Sequence, residues 1–162
     1  MQDSSERPAD GMERVVQTYG NILYRLCFVM LGRESDAEDA VQETMIRYLQ
    51  KAPRFENAGH EKAWLLTVAA NQCRDMLRAR KRHPQVNLDE VGEVPADPSD
   101  SGILEALMAL PEKFRLVLVL FYVEEYPIAD IAKIIGRTPS AVKMRLQKGR
   151  RLLEELYRKE YL

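Results

Sequence analysis

The sequence predicts an all-α protein. Two small helical domains, residues 12–82 and 102–162, are joined by a flexible acidic linker at 83–101, with a loose tail at 1–11. Three observations predict it. Apolar residues recur at i, i+3, i+4 and i+7 on both sides of the linker, the period of an amphipathic helix. No segment makes a convincing strand. Between the periodic stretches, His83 to Gly102 carries Pro84, Pro95, Pro98 and two glycines with no apolar period, the composition of a connector.

Taken in order, a first helix is expected from about Arg14 to Leu31, ending near Gly32. The next opens at Ser35, where Ser35 and Glu38 make an S-x-x-E capping box. Its apolar stripe is Ala37, Ala40, Val41, Met45 and Tyr48, and Pro53 stops it. "RFENAGH" (Arg54 to His60) reads as loop, and a long helix follows from about Glu61 to Arg82. Leu66, Ala70, Cys73 and Leu77 define its inner face, widened by Leu65, Ala69 and Met76. Trp64, Thr67, Asn71, Asp75 and Arg78 face the other way. After the linker, helices are expected at Ile103–Leu110, Glu112–Tyr122, Ile128–Ile135 and Pro139 to about Tyr157. The run "RLVLVLFYV" fits strand or helix by pattern alone; its place between a Leu-Pro break and another helix favours helix.

Charge is unevenly spread. The formal net charge is −1, yet the stretch Val86 to Glu105 contains Asp89, Glu90, Glu93, Asp97, Asp100 and Glu105 and neither Lys nor Arg. Arg137 to Lys159 nets +6 and His60 to Arg82 nets +4. Blocks of opposite sign imply separate surfaces for separate partners. Cys27 and Cys73 lie far apart with no CxxC spacing, and His60 and His83 are the only histidines. Two buried thiols, and no metal site, are expected. The longest apolar run, Leu116 to Val123, is too short to span a bilayer, so the chain reads as a soluble intracellular protein. With no Gly-rich phosphate loop, metal-ligand cluster or nucleophile triad, enzyme chemistry is not expected, nor a cofactor or small-molecule substrate.

The C-terminal stretch "PIADIAKIIGRTPSAVKMRLQKGRRLL" (Pro127 to Leu153) carries the sharpest signal. Ile128, Ile131, Ala132 and Ile135 form the stripe of a short helix, and Gly136 suits its stop. Thr138 is a good N-cap and Pro139 fits the first helical position. Two helices joined by a tight Gly-containing turn make a helix-turn-helix. On the second helix Val142, Leu146, Gly149, Leu153 and Leu156 face inward. Ser140, Met144, Gln147, Lys148 and Arg151 lie opposite, long donors with an apolar tip that suit base edges in a major groove. Lys143, Arg145 and Arg150 flank them, where phosphates would lie.

Here the sequence resembles the extracytoplasmic-function (ECF) group of bacterial RNA polymerase sigma factors, in the sigma-70 family, over roughly Met12 to Tyr157. "DAEDAVQETMIRYL" (Asp36 to Leu49) is similar to the family's AED-x-V-Q-E-x-F helix. "KAWLLTVAANQCRDMLRARKR" (Lys62 to Arg82) is similar to its a-W-L-x-x-I-A-x-N-x-x-x-D-x-x-R segment. "LPEKFRLVLVLFYVEEYPIADIAKIIGRTPSAVKMRLQKGRRLL" (Leu110 to Leu153) resembles its C-terminal domain. Two departures stand out. Ser140-Ala141 replaces the usual Gly-Thr before the Val of the recognition helix, and Lys148-Gly149 replaces a usual Arg-Ala. Gly149 costs roughly 1 kcal/mol of helix propensity against Ala, which close packing would offset.

The resemblance implies that the first domain is sigma region 2, binding core polymerase and the −10 element, and the second is sigma region 4, binding the −35 element. It sets Asp39, Gln42 and Glu43 against the clamp helices of the polymerase's largest subunit, where a basic partner would explain an acidic face; an ordinary solvated face is the plain alternative. Asn57, His60, Trp64, Asn71, Arg74 and Arg78 are then candidates for the −10 element, including capture of an unpaired base between the connector and Asn71. Phe55 either offers a stacking surface there or closes the core. Arg137, Ser140, Lys143, Met144, Gln147, Lys148 and Arg151 are candidates for the −35 element. The implied partners are core RNA polymerase, through the clamp helices and the flap of its second-largest subunit, promoter DNA, and a membrane-bound anti-sigma factor, with action in the cytoplasm. A helix-turn-helix regulator working without core polymerase would account for the C-terminal part alone.

Overall fold

The computed structural model describes residues 8–82 and 101–161; the acidic stretch read as a linker lies, up to residue 100, outside them. The described residues form helices and connecting turns with no strand: α1 (Pro8–Leu31), α2 (Glu34–Lys51), α3 (Ala58–Arg82), α4 (Ser101–Ala109), α5 (Glu112–Leu118) running into a π-turn (Val119–Val123), α6 (Ile128–Ile135) and α7 (Pro139–Tyr161). α1, α2 and α3 pack on one another as one bundle, and α4, α5 and α6 pack around or beside α7 as a second.

The ambiguous apolar run is helical. Phe114 to Leu120 are all buried, so this run is covered on every side and leaves no exposed stripe for a period to reveal. The run then widens, with the Glu124 amide donating to the Val119 carbonyl at 3.0 Å, an i→i+5 bond of the π type. Glu125, at φ 58°, turns the chain out of the helix through the left-handed region.

Several helix ends differ from expectation. α1 begins at Pro8 rather than near Arg14, so part of the expected loose tail is helix. The Ser35–Glu38 capping box does not form. Gly32 adopts φ 73° and Arg33 is extended, so α2 starts at Glu34 with no side-chain cap. Its first turn instead carries Glu34 and Asp36, charges that favour a helix N-terminus, and Asp36 meets Arg80 of α3 at 2.6 Å. α3 starts at Ala58, not Glu61, because Asn57 caps it: Asn57 Oδ1 accepts the His60 amide at 2.8 Å. The last two helices begin and join as read. Gly136 ends α6 at φ 68°, and Thr138 Oγ1 accepts the Ala141 amide at 3.1 Å to open α7.

The apolar stripes pack as the sequence implies. Leu23, Leu26 and Met30 of α1, Leu65, Leu66, Ala69 and Ala70 of α3 and Ala37 and Ala40 of α2 form the first-domain part of a core that continues into the second domain. Cys27 and Cys73 are buried free thiols. They are neighbours, and the hydrogen bond between them, with burial, pushes the Cys73 thiol far above its ordinary pKa, which makes it unreactive. In the second-domain part Val142 and Leu146 of α7 are buried, and α7 packs on α5. An added Cβ on Gly149 would lie 3.3 Å from both Leu118 Cδ1 and Phe114 Cβ, so at this glycine α7 packs tightly on α5.

Candidate nucleic-acid interface

The outer face of α7 is polar and open because its inner face is committed to α5. Ser140, Lys143, Gln147, Lys148 and Arg151 are exposed, and Met144 projects with 70% of its surface free. A shallow depression of about 400 Å³ runs between this face and the start of α5 at Lys113 and Phe114. Lys148 Nζ lies 5.8 Å from the Phe114 ring centre, which steadies a long side chain without covering it. The flanking cations divide. Lys143 is exposed and Arg145 half-buried, with Arg137 exposed before the helix, whereas Arg150 turns to the other side of α7 and donates to the Tyr122 hydroxyl at 2.8 Å. Arg150 therefore leaves the set expected beside the phosphates.

On the first domain, Asn71 and Arg78 are exposed along α3 and Trp64 is half-buried. Trp64 meets Tyr48 of α2 at 6.0 Å and Phe55 at 5.8 Å, edge to face in both pairs, so it covers a neighbouring helix while keeping one edge free. Phe55 stacks on Tyr48 at 6.1 Å and is held within the fold. Asn57 and His60 lie close together and exposed, but each spends one atom on the connector: Asn57 Oδ1 caps α3, and His60 Nδ1 accepts the Glu56 amide at 3.3 Å. Asn57 Nδ2 and His60 Nε2 are the atoms left for a ligand. Arg74 Nη1 reaches Asn71 Oδ1 at 3.5 Å.

Beneath the connector lies a buried polar group. Glu61, 6% exposed, accepts from Arg14 Nη1 at 3.1 Å and Nη2 at 2.8 Å and from the Tyr48 hydroxyl at 2.6 Å. Burial disfavours its charge, but the hydrogen bonds from Arg14 and Tyr48, with the Tyr19 hydroxyl nearby, outweigh that and hold its carboxyl below the usual range. Burial and the bond to Glu61 push the Tyr48 phenol up to about 12.

α2 presents Asp39 and Gln42 to solvent, with Glu43 half-exposed and paired to Arg47 at 3.6 Å. Ile46 and Leu49 extend the same surface with 44% and 54% of their area free. An acidic strip continued by two open aliphatic side chains is the make-up of a protein-binding face, with a charged part for orientation and an apolar part for contact. A second apolar surface was not foreseen. A groove of about 530 Å³ between α4, the π-turn and α7 is lined by Ile103, Leu107, Val119, Tyr122, Leu153 and Tyr157. Its signal was faint: Tyr122 and Val123 end an apolar run but point outward.

The two domains touch. Glu124, its side chain only 3% exposed, accepts from Arg25 Nη2 at 3.2 Å and lies 3.7 Å from Lys62 Nζ, which also sits 5.2 Å from the Tyr126 ring centre. Nearby, α3 packs on α6. Burial, and then the charges of Arg137, Arg145 and Arg78, lower the Arg74 pKa. The cations expected at two different DNA elements thus share one electrostatic environment.

Comparison with known proteins agrees with both halves. The family model for Sigma-70 region 2 matches residues 15–83, and that for Sigma-70, region 4 matches residues 101–153. The ECF RNA polymerase sigma factor SigW of Bacillus subtilis is 29% identical over 168 residues, covering 92% of this chain and 90% of its own. The ECF sigma factor SigM of Mycobacterium tuberculosis is 32% identical over 139 residues, covering 83% of this chain and 70% of its own. Among solved structures, the sigma factor RpoE of Bartonella quintana, in complex with the anti-sigma factor NepR, has a TM-score of 0.78. It is 24% identical and covers 91% of this chain and 97% of that one. CnrH, solved with the cytosolic domain of CnrY, has a TM-score of 0.65 at 23% identity, covering 90% and 86%.

Proposed function

The chain belongs to the ECF RNA polymerase sigma factors of the sigma-70 family, with regions 2 and 4, and from that premise we propose how its surfaces divide the work of directing transcription initiation. The α2 strip of Asp39, Gln42 and Glu43, extended by Ile46 and Leu49, docks on the clamp helices of the polymerase's largest subunit. The outer face of α7 reads the −35 element, with Met144, Gln147 and Lys148 on base edges and Arg137, Lys143 and Arg151 on phosphates. The connector and α3 read the −10 element, with Asn71 and the free atoms of Asn57 and His60 meeting an unstacked base. Trp64 lends an edge, and Arg74 and Arg78 hold the strand. The apolar groove of the second domain takes a helix of the flap of the second-largest subunit.

One observation carries this reading: the exposed polar strip on α7 faces away from a core it helps to build, while an acidic strip of opposite sign faces out of the other domain. A DNA-binding regulator acting alone has no use for the second. Initiation with core polymerase places the action in the cytoplasm, and an anti-sigma factor, membrane-bound or not, is the restraint we expect on it. The test is transcription by purified core polymerase with this chain on a library of promoter sequences. Sequence-specific starts that depend on both partners are expected. DNA binding indifferent to core polymerase would return the chain to the regulator class.

A further inference from the structure

Four rings from three segments meet around the connector between α2 and α3. Tyr48 stacks on Phe55, Trp64 stands edge-on to both, and His60 closes on Phe55 at 5.2 Å. The connector itself, residues 52–57, has no regular structure, so caps and side-chain contacts fix its path. What fixes the rings lies one layer below, in the Glu61 group. The Tyr48 hydroxyl is tied to Glu61 at 2.6 Å, Glu61 to Arg14 by two bonds, and the Tyr19 hydroxyl of α1 to the Ala58 carbonyl at 3.3 Å. All three helices of the domain therefore converge on the first turn of α3.

A buried carboxylate is a poor way to gain stability, because its desolvation rivals its attractions. Its advantage is direction. Apolar packing fills space and tolerates sliding, whereas a two-pronged guanidinium and a 2.6 Å phenol bond accept little displacement. The ring that Glu61 orients is the one on which Phe55 rests. Phe55 in turn sets the segment bearing Asn57 and His60.

We propose that Glu61, clamped by Arg14 and Tyr48, is a positioning residue for reading the −10 element: it holds the connector in the geometry an unstacked base requires. This rests on the −10 reading of the connector given above. Groups that recognise a ligand must be held to a fraction of an ångström by a supporting layer, and misplacement near 1 Å is expensive.

Trp64 is the chain's single tryptophan, so its emission reports the ring cluster directly. The experiment uses the full chain with core polymerase and compares wild type, Glu61→Gln, Tyr48→Phe, and the exchange Arg14→Glu/Glu61→Arg. Trp64 emission, thermal midpoint and initiation are measured on duplex and pre-melted promoters carrying each −10 substitution. Glu61→Gln is expected to shift Trp64 emission and to reduce −10 discrimination by about tenfold, on pre-melted templates as well as duplex ones. Tyr48→Phe, which removes only a hydroxyl, is expected to do the same more weakly and covers the case of a Glu61 variant that does not fold. The exchanged pair should recover part of the discrimination. Variants that shift emission or midpoint but keep wild-type −10 discrimination overturn the proposal and leave Glu61 a structural staple. An Asn57→Ala/His60→Ala variant separates the two levels. If it keeps −10 discrimination, the reading of the connector fails. If it loses discrimination while Glu61→Gln and Tyr48→Phe keep it, the positioning role alone fails.

Discussion

Glu124 of the second domain and Arg25 of the first are joined at 3.2 Å, with the carboxylate almost wholly covered. Lys62 stands on its other oxygen at 3.7 Å. One acidic side chain thus holds two cations from two different helices of the partner domain. The proposed function asks these domains to sit on two separate promoter elements, so this contact has to open.

Removing the charge should loosen the pair of domains without unfolding either. Arg25 is half-exposed, which limits its worth, so Glu124→Gln should weaken the packing by about 1 kcal/mol. Small-angle scattering should show a larger radius of gyration, and the association rate with core polymerase should rise. An unchanged radius would mean that apolar contacts, not Glu124, hold the domains together.

On α7 the two kinds of contact should separate. Gln147→Ala or Lys148→Ala should alter which −35 bases are preferred, at about 1–3 kcal/mol for a lost bidentate contact. Arg151→Ala should weaken every sequence alike and flatten the salt dependence. Binding measured across −35 variants at several salt concentrations checks both. Because Lys148 also rests near Phe114, a uniform loss on Lys148→Ala would reassign it to the phosphates.

Reversal of charge on α2 should act on binding and hardly on folding. Asp39 is exposed, and Glu43 gives up only its pair with Arg47, worth about 0.3–0.5 kcal/mol. Asp39→Lys/Glu43→Lys is expected to lower affinity for core polymerase by at least about tenfold with an almost unchanged thermal midpoint. Competition binding against the wild-type chain measures it.

Gly149→Ala pits two effects against each other. Helix propensity gains about 1 kcal/mol. The new methyl, however, would press Phe114 Cβ at 3.3 Å, an atom fixed to the backbone of α5, and overpacking costs about 1–3 kcal/mol. A net destabilisation of about 1 kcal/mol is expected, read as a lower denaturant midpoint.

Acid should release the Glu61 group in a definite order. Its folded pKa lies below the unfolded one, so its contribution is complete above the unfolded value of about 4.3. It is lost as pH falls through the lower, folded value. Trp64 emission in wild type should therefore hold steady through the ordinary carboxylate range and change only below it. Glu61→Gln should lack that step.

Local signals were legible in the sequence and long-range ones were not. Thr138 and Gly136 act within a turn of themselves, so their capping roles could be read from neighbours alone. The exposed polar strip on α7 follows from the same helical period that buries Val142 and Leu146. By contrast, Arg14 and Glu61 are 47 residues apart and Arg25 and Glu124 are 99 apart, and nothing in either neighbourhood names its partner. The Ser35 capping box failed because Gly32 and Arg33 had already set the entry to α2. Asn57 caps α3 from inside the stretch Arg54 to His60, whose composition reads as loop. A helix expected to run unbroken from Glu112 to Tyr122 leaves no place for the π-turn, which sets Tyr122 and Val123 outward beside the groove.

That extra residue makes chain length a variable in its own right. A π-turn holds one residue more than the α-turn it replaces, and each residue turns an α-helix by about 100°. Val119–Val123 therefore shifts the exit from the helix by one step, with Tyr122 and Val123 facing outward and Glu124 set against Arg25 and Lys62 of the first domain. Loss of the codon for Tyr122 or Val123, both exposed, would spare the buried Val119 and Leu120 and is expected to rotate Glu124 off its partners. Inheritance can thus tune how tightly this protein closes by counting residues, with no change of side chain on the exposed faces of α3 or α7.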